Sequence, residues 1–336
     1  MKQDTILLAH GSGGSMMHKL IGSLFAARFS NPLLDSLDDS AIFELPPGRV
    51  AFSTDTYVVH PIRFKGGNIG KLAVCGTVND LAAVGATPKY LSAGFVLEEG
   101  LSIAELEEVL DSMVEMAAEA GVSIVTGDTK VVERGGADKI FINTAGVGVV
   151  PSGLAIGAAN CKAGDKVLLS GTLGDHGIAV VSEREGLAFE TAVESDCAPL
   201  NGMVESMLAA GVDVHALRDP TRGGLASTLN EFASASGVGI RISEESVPVR
   251  DEVLGACEML GYDVFHVANE GKMVAVVAPE HAAAALEAMR ASKYGADAAV
   301  IGEVAEEHTG KVLVDTSFGS TRILDMLVGE QLPRIC

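Results

Sequence analysis

Both halves of this chain repeat one theme: a short apolar strand breaks into glycines with an Asp or His, then runs into a helical pattern. A repeated strand, glycine loop and helix restrict the fold to layered α/β architecture. In the first half Thr5-Ile6-Leu7-Leu8-Ala9 reads as the strand, His10-Gly11-Ser12-Gly13-Gly14 as the loop and Ser15 to Phe29 as the helix. In the second, Lys166-Val167-Leu168-Leu169-Ser170 leads into Gly171-Thr172-Leu173-Gly174-Asp175-His176-Gly177 and a helix. Asp219-Pro220-Thr221-Arg222-Gly223-Gly224 likewise precedes a helix from Leu225 to Ala235. Glycines ahead of a helix suit an anion, because backbone N–H groups approach it with no Cβ in the way. A plain flexible loop is the alternative, since the P-loop and dinucleotide fingerprints are absent.

Length divides the chain. Its 336 residues exceed one comfortable core, so two domains of about 150 residues are expected. The turn at Pro151-Ser152-Gly153 marks the boundary. The expected organisation is an N-terminal domain over 1–150, a C-terminal α/β domain over 151–327 and a flexible tail over 328–336. The longest apolar runs, such as Met273 to Ala278, are of strand length, and no basic and apolar leader opens the chain. A cytoplasmic protein that spans no membrane is therefore expected. The formal net charge of −21 repels nucleic acid and anionic membranes. Five scattered cysteines without a CxxC pair give neither a disulfide framework nor a cysteine zinc site.

Four further segments carry structure or chemistry. Asn68 to Val84 is expected as a helix, apolar almost all round, with Asp80 on a stripe of Ala73, Gly76 and Thr77. A carboxylate there is costly unless it is paired or ligates a cation, and the small neighbours leave room for a ligand. Ser102 to Ala120 is expected as a scaffold helix, with Ser102 and Glu105 as a capping box and Gly121 as its stop. Two strands joined by Pro46-Pro47-Gly48 bring Asp39 and Asp55 near one another, and a strand over 122–126 ends in a loop Gly127-Asp128-Thr129-Lys130. Strands near 140–149, 239–242, 263–267 and 273–277 and helices near 250–260 and 280–292 complete the alternation.

Asp39, Asp55, Asp80, Asp128 and Asp219 thus stand at strand ends, helix starts or a small-residue helix face. Converging carboxylates repel a triphosphate, by about 4 kcal/mol per pair at 4 Å and an effective dielectric of 20. Divalent cations make such a site workable, and oxygen-only ligands favour Mg2+ over zinc. The chain closes on Pro333-Arg334-Ile335-Cys336. A terminal thiol is an odd place for a structural cysteine, and eight extended residues reach about 26 Å.

The ordered set of His10-Gly11-Ser12-Gly13-Gly14, Asp38-Asp39-Ser40-Ala41, Ser53-Thr54-Asp55, Asn79 to Ala86, Gly127-Asp128-Thr129-Lys130, Arg218 to Gly224 and the final Pro-Arg-Ile-Cys resembles the HypE family of hydrogenase maturation proteins. That family belongs to the superfamily of aminoimidazole ribonucleotide synthetase, selenophosphate synthetase and thiamine-monophosphate kinase. The resemblance implies a two-domain α/β fold of the PurM-like kind, its N-terminal mixed sheet closing a barrel across a homodimer and its C-terminal domain an α/β sandwich. It implies ATP and Mg2+ as cofactors, with Gly11, Gly13, Gly14, Asp39, Thr54, Asp55, Asn79, Asp80, Asp128, Thr221, Arg222 and Gly223 around the nucleotide and Asp39, Asp55, Asp80, Asp128 and Asp219 around the metal. It implies that Cys336 receives a carbamoyl group from HypF, that ATP drives its dehydration to a thiocyanate, and that the cyano group passes to iron on HypC–HypD. Glu270 is the implied base and Lys130 the residue that neutralises the phosphorylated oxygen. Two rivals stay open: a selenophosphate synthetase or small-molecule kinase, disfavoured because no cysteine precedes Cys75, and a non-catalytic thiol carrier.

Overall fold

The computed structural model describes residues 4–35, 40–187, 193–327, 329, 332 and 334–336. Asp39 lies outside the described residues, as does most of the 328–333 stretch.

The N-terminal domain contains α1 (Ser15–Leu20), a π-helical segment Ile21–Ala26, α2 (Ala27–Phe29), β1 (Arg49–Tyr57), a small hairpin of β2 (Arg63–Phe64) and β3 (Gly67–Asn68), α3 (Ile69–Ala83), β4 (Thr87–Glu98), α4 (Ile103–Ala120), β5 (Ser123–Val132) and β6 (Ile140–Val150). The main sheet runs β1-β6-β4-β5, antiparallel except where α4 crosses between the parallel pair β4 and β5. That crossover is what a parallel pairing requires. α4 turns Leu106, Val109, Leu110, Met113 and Met116 into the core, an i, i+3, i+4, i+7 stripe. Gly121 ends it at φ 70°, its N–H returning to the carbonyls of Ala117 and Ala118, a left-handed cap that glycine alone takes cheaply. The expected capping box is not made. Ser102 forms no cap bond, and Glu105 is drawn away by Lys139, 2.6 Å from its carboxylate. α3 begins with Asn68, whose side chain accepts from the N–H groups of Gly70 and Lys71. Apolar all round, it is buried all round, between the sheet on one side and the second domain on the other.

The C-terminal domain contains β7 (Lys166–Leu169), α5 (Asp175–Glu185), α6 (Asn201–Ala209), β8 (Val214–Arg218), α7 (Gly224–Ser236), β9 (Gly239–Ser243), α8 (Asp251–Leu260), β10 (Val274–Val277), α9 (Ala282–Ala291), β11 (Ala299–Ala305), β12 (Val312–Asp315) and β13 (Thr321–Ile323). One sheet of order β13-β12-β9-β11-β7-β10-β8 spans it. Val167, Leu169, Val274 and Val276 pack with α7 and α8, while Leu168, Ala275 and Val277 pack with α6 and α9. β10 is therefore buried on both faces, which is why its sequence is an unbroken apolar run.

Four local expectations are corrected. Residues 5–9 make only a bridge from Thr5 to Ser102 before a 3-10 turn Leu8–Gly11. Among the described residues no strand immediately precedes the 46–48 turn. Gly127 to Lys130 continue β5 rather than forming a loop, since Gly127 fits against the Ala93 carbonyl, 2.4 Å from where a Cβ would stand. Residues 264–266 form a 3-10 turn, its start capped by Asp263. Among the described residues no helix is long and apolar enough to cross a membrane.

Candidate active site

β1 alternates, so Asp55 turns toward α3 while Thr54 and Thr56 face outward. Asp80 on α3, Asp219 just after β8 and Glu270 just before β10 meet Asp55 in a cavity of about 150 Å3 between the domains, with Thr221, Arg222 and Cys336 in its wall. The Ser53 hydroxyl donates to Asp80 at 2.6 Å and the Tyr57 hydroxyl to Asp55 at 3.3 Å. The space beside Gly76 is taken by that Tyr57 hydroxyl, 2.3 Å from where a Cβ would stand. The small residue thus admits a neighbour's side chain. Glu270 arrives through Asn269-Glu270-Gly271, and a Cβ at Gly271 would lie 1.7 Å from the Asp196 carbonyl oxygen, so only glycine lets these segments pass. The Glu270 N–H then donates to Asp196 at 3.0 Å.

The electrostatics are unfavourable by construction. Burial, then the charge of Asp80, pushes Asp55 up to about 6. The same two causes push Asp219 up to about 7. Burial lifts Glu270 well above the carboxylate range, with Cys197 and Asp219 adding to it. Its side chain is 2% exposed and Oε1 has no hydrogen-bond partner. Buried, mutually repelling carboxylates are found where a cation or a proton transfer is served.

The end of the chain closes this cavity. Val58 N–H donates to the Cys336 backbone oxygen at 3.1 Å and His60 N–H to the Arg334 carbonyl at 3.3 Å, while Arg334 Nε donates to the Val58 carbonyl at 3.0 Å. Ile335 is 2% exposed and joins the N-terminal core. Residues 334–336 are docked here, because two of the three bind through backbone and the third buries an apolar side chain. Arg222 Nη2 lies 3.4 Å from Cys336 Sγ. Burial, then the Glu270 charge, pushes the thiol up to about 11 against the opposing pull of Arg222.

Other expected site residues lie elsewhere. The register that aligns Asp55 with Thr144, Ala93 and Gly127 puts Thr54, Asp128 and Lys130 on the opposite face. Asp128 and Lys130 pair there, 3.1 Å apart and exposed. Asn79 is fully buried and spends its amide on Ala198 O, Glu270 O and the Leu200 N–H, so it joins the domains rather than facing the cavity. Gly11 admits β5, its absent Cβ being 2.7 Å from Val131 N. Gly13 and Asp128 instead border a second cavity of about 420 Å3 under α1 and α2, walled by Phe25, Phe29, Phe95 and Ile124. Gly14 points into open space and Gly223, at φ 78°, lies against Ser227. Among the described residues no three His, Cys, Asp or Glu stand close enough to hold an ion alone.

Two polar residues of the tail's seat went unread in the sequence. His176 and Arg184 both bond tail carbonyls; the only signal was a histidine within a glycine loop at a helix start.

Compared with known proteins, the chain matches the N-terminal domain of AIR synthase related protein over residues 37–150 and its C-terminal domain over residues 162–315. It is 52% identical to the carbamoyl dehydratase HypE of Azotobacter vinelandii, over 100% of this chain and 98% of that one. The chain belongs to the HypE family. The HypE of Escherichia coli K12 is 49% identical over 99% of this chain and 100% of its own. A HypE crystal structure in complex with ATP matches with a TM-score of 0.96 at 49% identity, covering 99% and 100% of the two chains. A HypE–HypF complex matches with a TM-score of 0.81 at 49% identity, covering 92% and 99%. A thiamine-monophosphate kinase of Stenotrophomonas maltophilia, 20% identical with a TM-score of 0.66 over 88% and 95% of the chains, shares the fold. The PurM-like architecture of HypE proteins is thus that of this chain.

Proposed function

We propose that this protein uses ATP to dehydrate a carbamoyl group carried on Cys336 to a thiocyanate, the source of a cyano ligand for hydrogenase iron. The observation that carries the reading is the position of Cys336 Sγ, in a small carboxylate cavity within reach of Arg222 and facing the unpartnered Glu270. In the balanced reaction the amide oxygen takes the terminal phosphoryl group of ATP and leaves as phosphate, and the nitrogen gives up two protons as C≡N forms. The products are the S-cyano cysteine, ADP and phosphate. Burial gives Glu270 a high proton affinity, which suits a base for a weakly acidic N–H. It acts in its ionised form, so it must first give up the proton that burial holds on it.

The donor set fits Mg2+. Asp55, Asp80 and Asp219 would hold it with nucleotide oxygens completing the shell, since they do not suffice alone. When bound, the ion supplies neutralisation of phosphate charge. Thr54, Asp128 and Lys130 lie on a sheet face where Phe52 is 70% exposed, and a second copy packed there, as a homodimer, would bring such residues to a shared site. HypF is the expected carbamoyl donor, a likeness to the HypE–HypF complex supporting it, and HypC–HypD the expected acceptor.

The tail must leave to be loaded. A thiol near 11 is about 0.01% thiolate at pH 7, whereas one at an ordinary 8.5 is about 3%. Intact-mass spectrometry tests the whole scheme. Carbamoylated protein given Mg-ATP loses one water at Cys336; a carrier that only presents the thiol keeps the carbamoyl mass.

A further inference from the structure

His176 is fully buried at the first turn of α5. Its Nε2 lies 2.8 Å from the Ile335 carbonyl oxygen and its Nδ1 2.8 Å from Ser195 Oγ. Phe64 stands edge-on to the ring, 5.3 Å between centroids at 89°. A carbonyl only accepts, so Nε2 carries the proton. Nδ1 of the neutral ring then accepts from the Ser195 hydroxyl, whose oxygen accepts the Cys197 N–H at 3.1 Å. The direction of every bond is fixed by its neighbour, and burial disfavours the charged ring. The residue between Ser195 and Cys197 is Asp196, which accepts the Glu270 N–H. One short segment thus braces Glu270 on one side and, through His176, the residue before Cys336 on the other.

We propose that His176 is a positioning residue that seats the returning tail, fixing Cys336 in register with Glu270. Arg184 adds a second grip, donating to the Arg334 carbonyl at 2.7 Å and the His60 carbonyl at 2.8 Å. Both hold backbone carbonyls and neither touches Sγ, so the seat accepts the bare, carbamoylated or cyanated cysteine alike. The inference deepens the proposed function, yet seating is measurable without that chemistry.

The test alkylates Cys336 with iodoacetamide at pH 8 in full-length protein, read by peptide mass. Cys75, Cys161, Cys197 and Cys257 are buried, and their protection reports an intact fold. Losing a buried hydrogen bond in His176→Phe speeds Cys336 alkylation about tenfold. Ser195→Ala leaves Nδ1 unpaired and gives a smaller rise, while His176→Gln returns a donor and recovers most of the protection. ATP affinity stays at the parent value in all three. Alkylation of Cys336 at the parent rate in folded His176→Phe and Ser195→Ala overturns the proposal. Should His176→Phe expose the other cysteines, an unchanged rate in Ser195→Ala does so alone. Neither result touches the water-loss assay, so failure of the seat and failure of the dehydratase reading are told apart.

Discussion

Asp219→Asn in nucleotide-free, metal-chelated protein measures what the site costs the fold. Asp219 is 8% exposed and holds its proton to about pH 7 against a reference of 3.8. A carboxyl with a raised folded pKa binds more protons folded than unfolded, so stability falls as pH rises through the window from about 4 to about 7. The full shift of about 3 units corresponds to roughly 4 kcal/mol above that window and to nothing below it. At pH 5.5 about 2 kcal/mol of it is already felt, leaving about 2 kcal/mol to appear by pH 8. Asparagine is nearly the same shape and does not titrate. Urea unfolding at pH 5.5 and pH 8 should therefore show the variant gaining on the parent by about 2 kcal/mol between the two. A difference that is flat with pH, or of opposite sign, would refute the claim that Asp219 is a strained carboxyl in the resting site.

Two other outcomes follow from the docked tail and the unpartnered base. Ile335→Ala removes three buried carbons, about 2.4 kcal/mol of transfer energy, so Cys336 alkylation should rise about fiftyfold with little change in thermal midpoint; a rise under threefold means that the side chain does not hold the tail. Glu270→Gln should leave ATP binding near the parent level and stop water loss from the carbamoylated protein, and a parent-like rate of water loss removes Glu270 as the base.

Elements with clear end signals were legible. α3 and α4 ended within two residues of where their apolar patterns, Asn68 and Gly121 put them. Boundaries set by tertiary contact were not: Gly127 to Lys130 looks like a loop until Ala93 packs against it, and Glu105 looks like a cap until Lys139 claims it. The carboxylates split along the same line. Asp55, Asp80 and Asp219 could be singled out by type and setting and Glu270 through the family resemblance alone, and all four share a cavity with Cys336. Asp128 and Lys130 fell on the other face because a residue's face depends on its strand's register, which local sequence does not specify. The role of His176 was hidden because its partner lies 159 residues away.

The antiparallel pairing of 334–336 with 58–60 has a kinetic consequence. Under the proposed dehydration the reactant is tethered to its own catalyst, so dilution would not starve the reaction and no rival metabolite would outcompete it by abundance. Occupancy is a ratio of two conformers, set by local contacts worth a few kcal/mol. Selection can tune how long the sulfur stays available to outside donors by altering those contacts, without touching a single reacting atom.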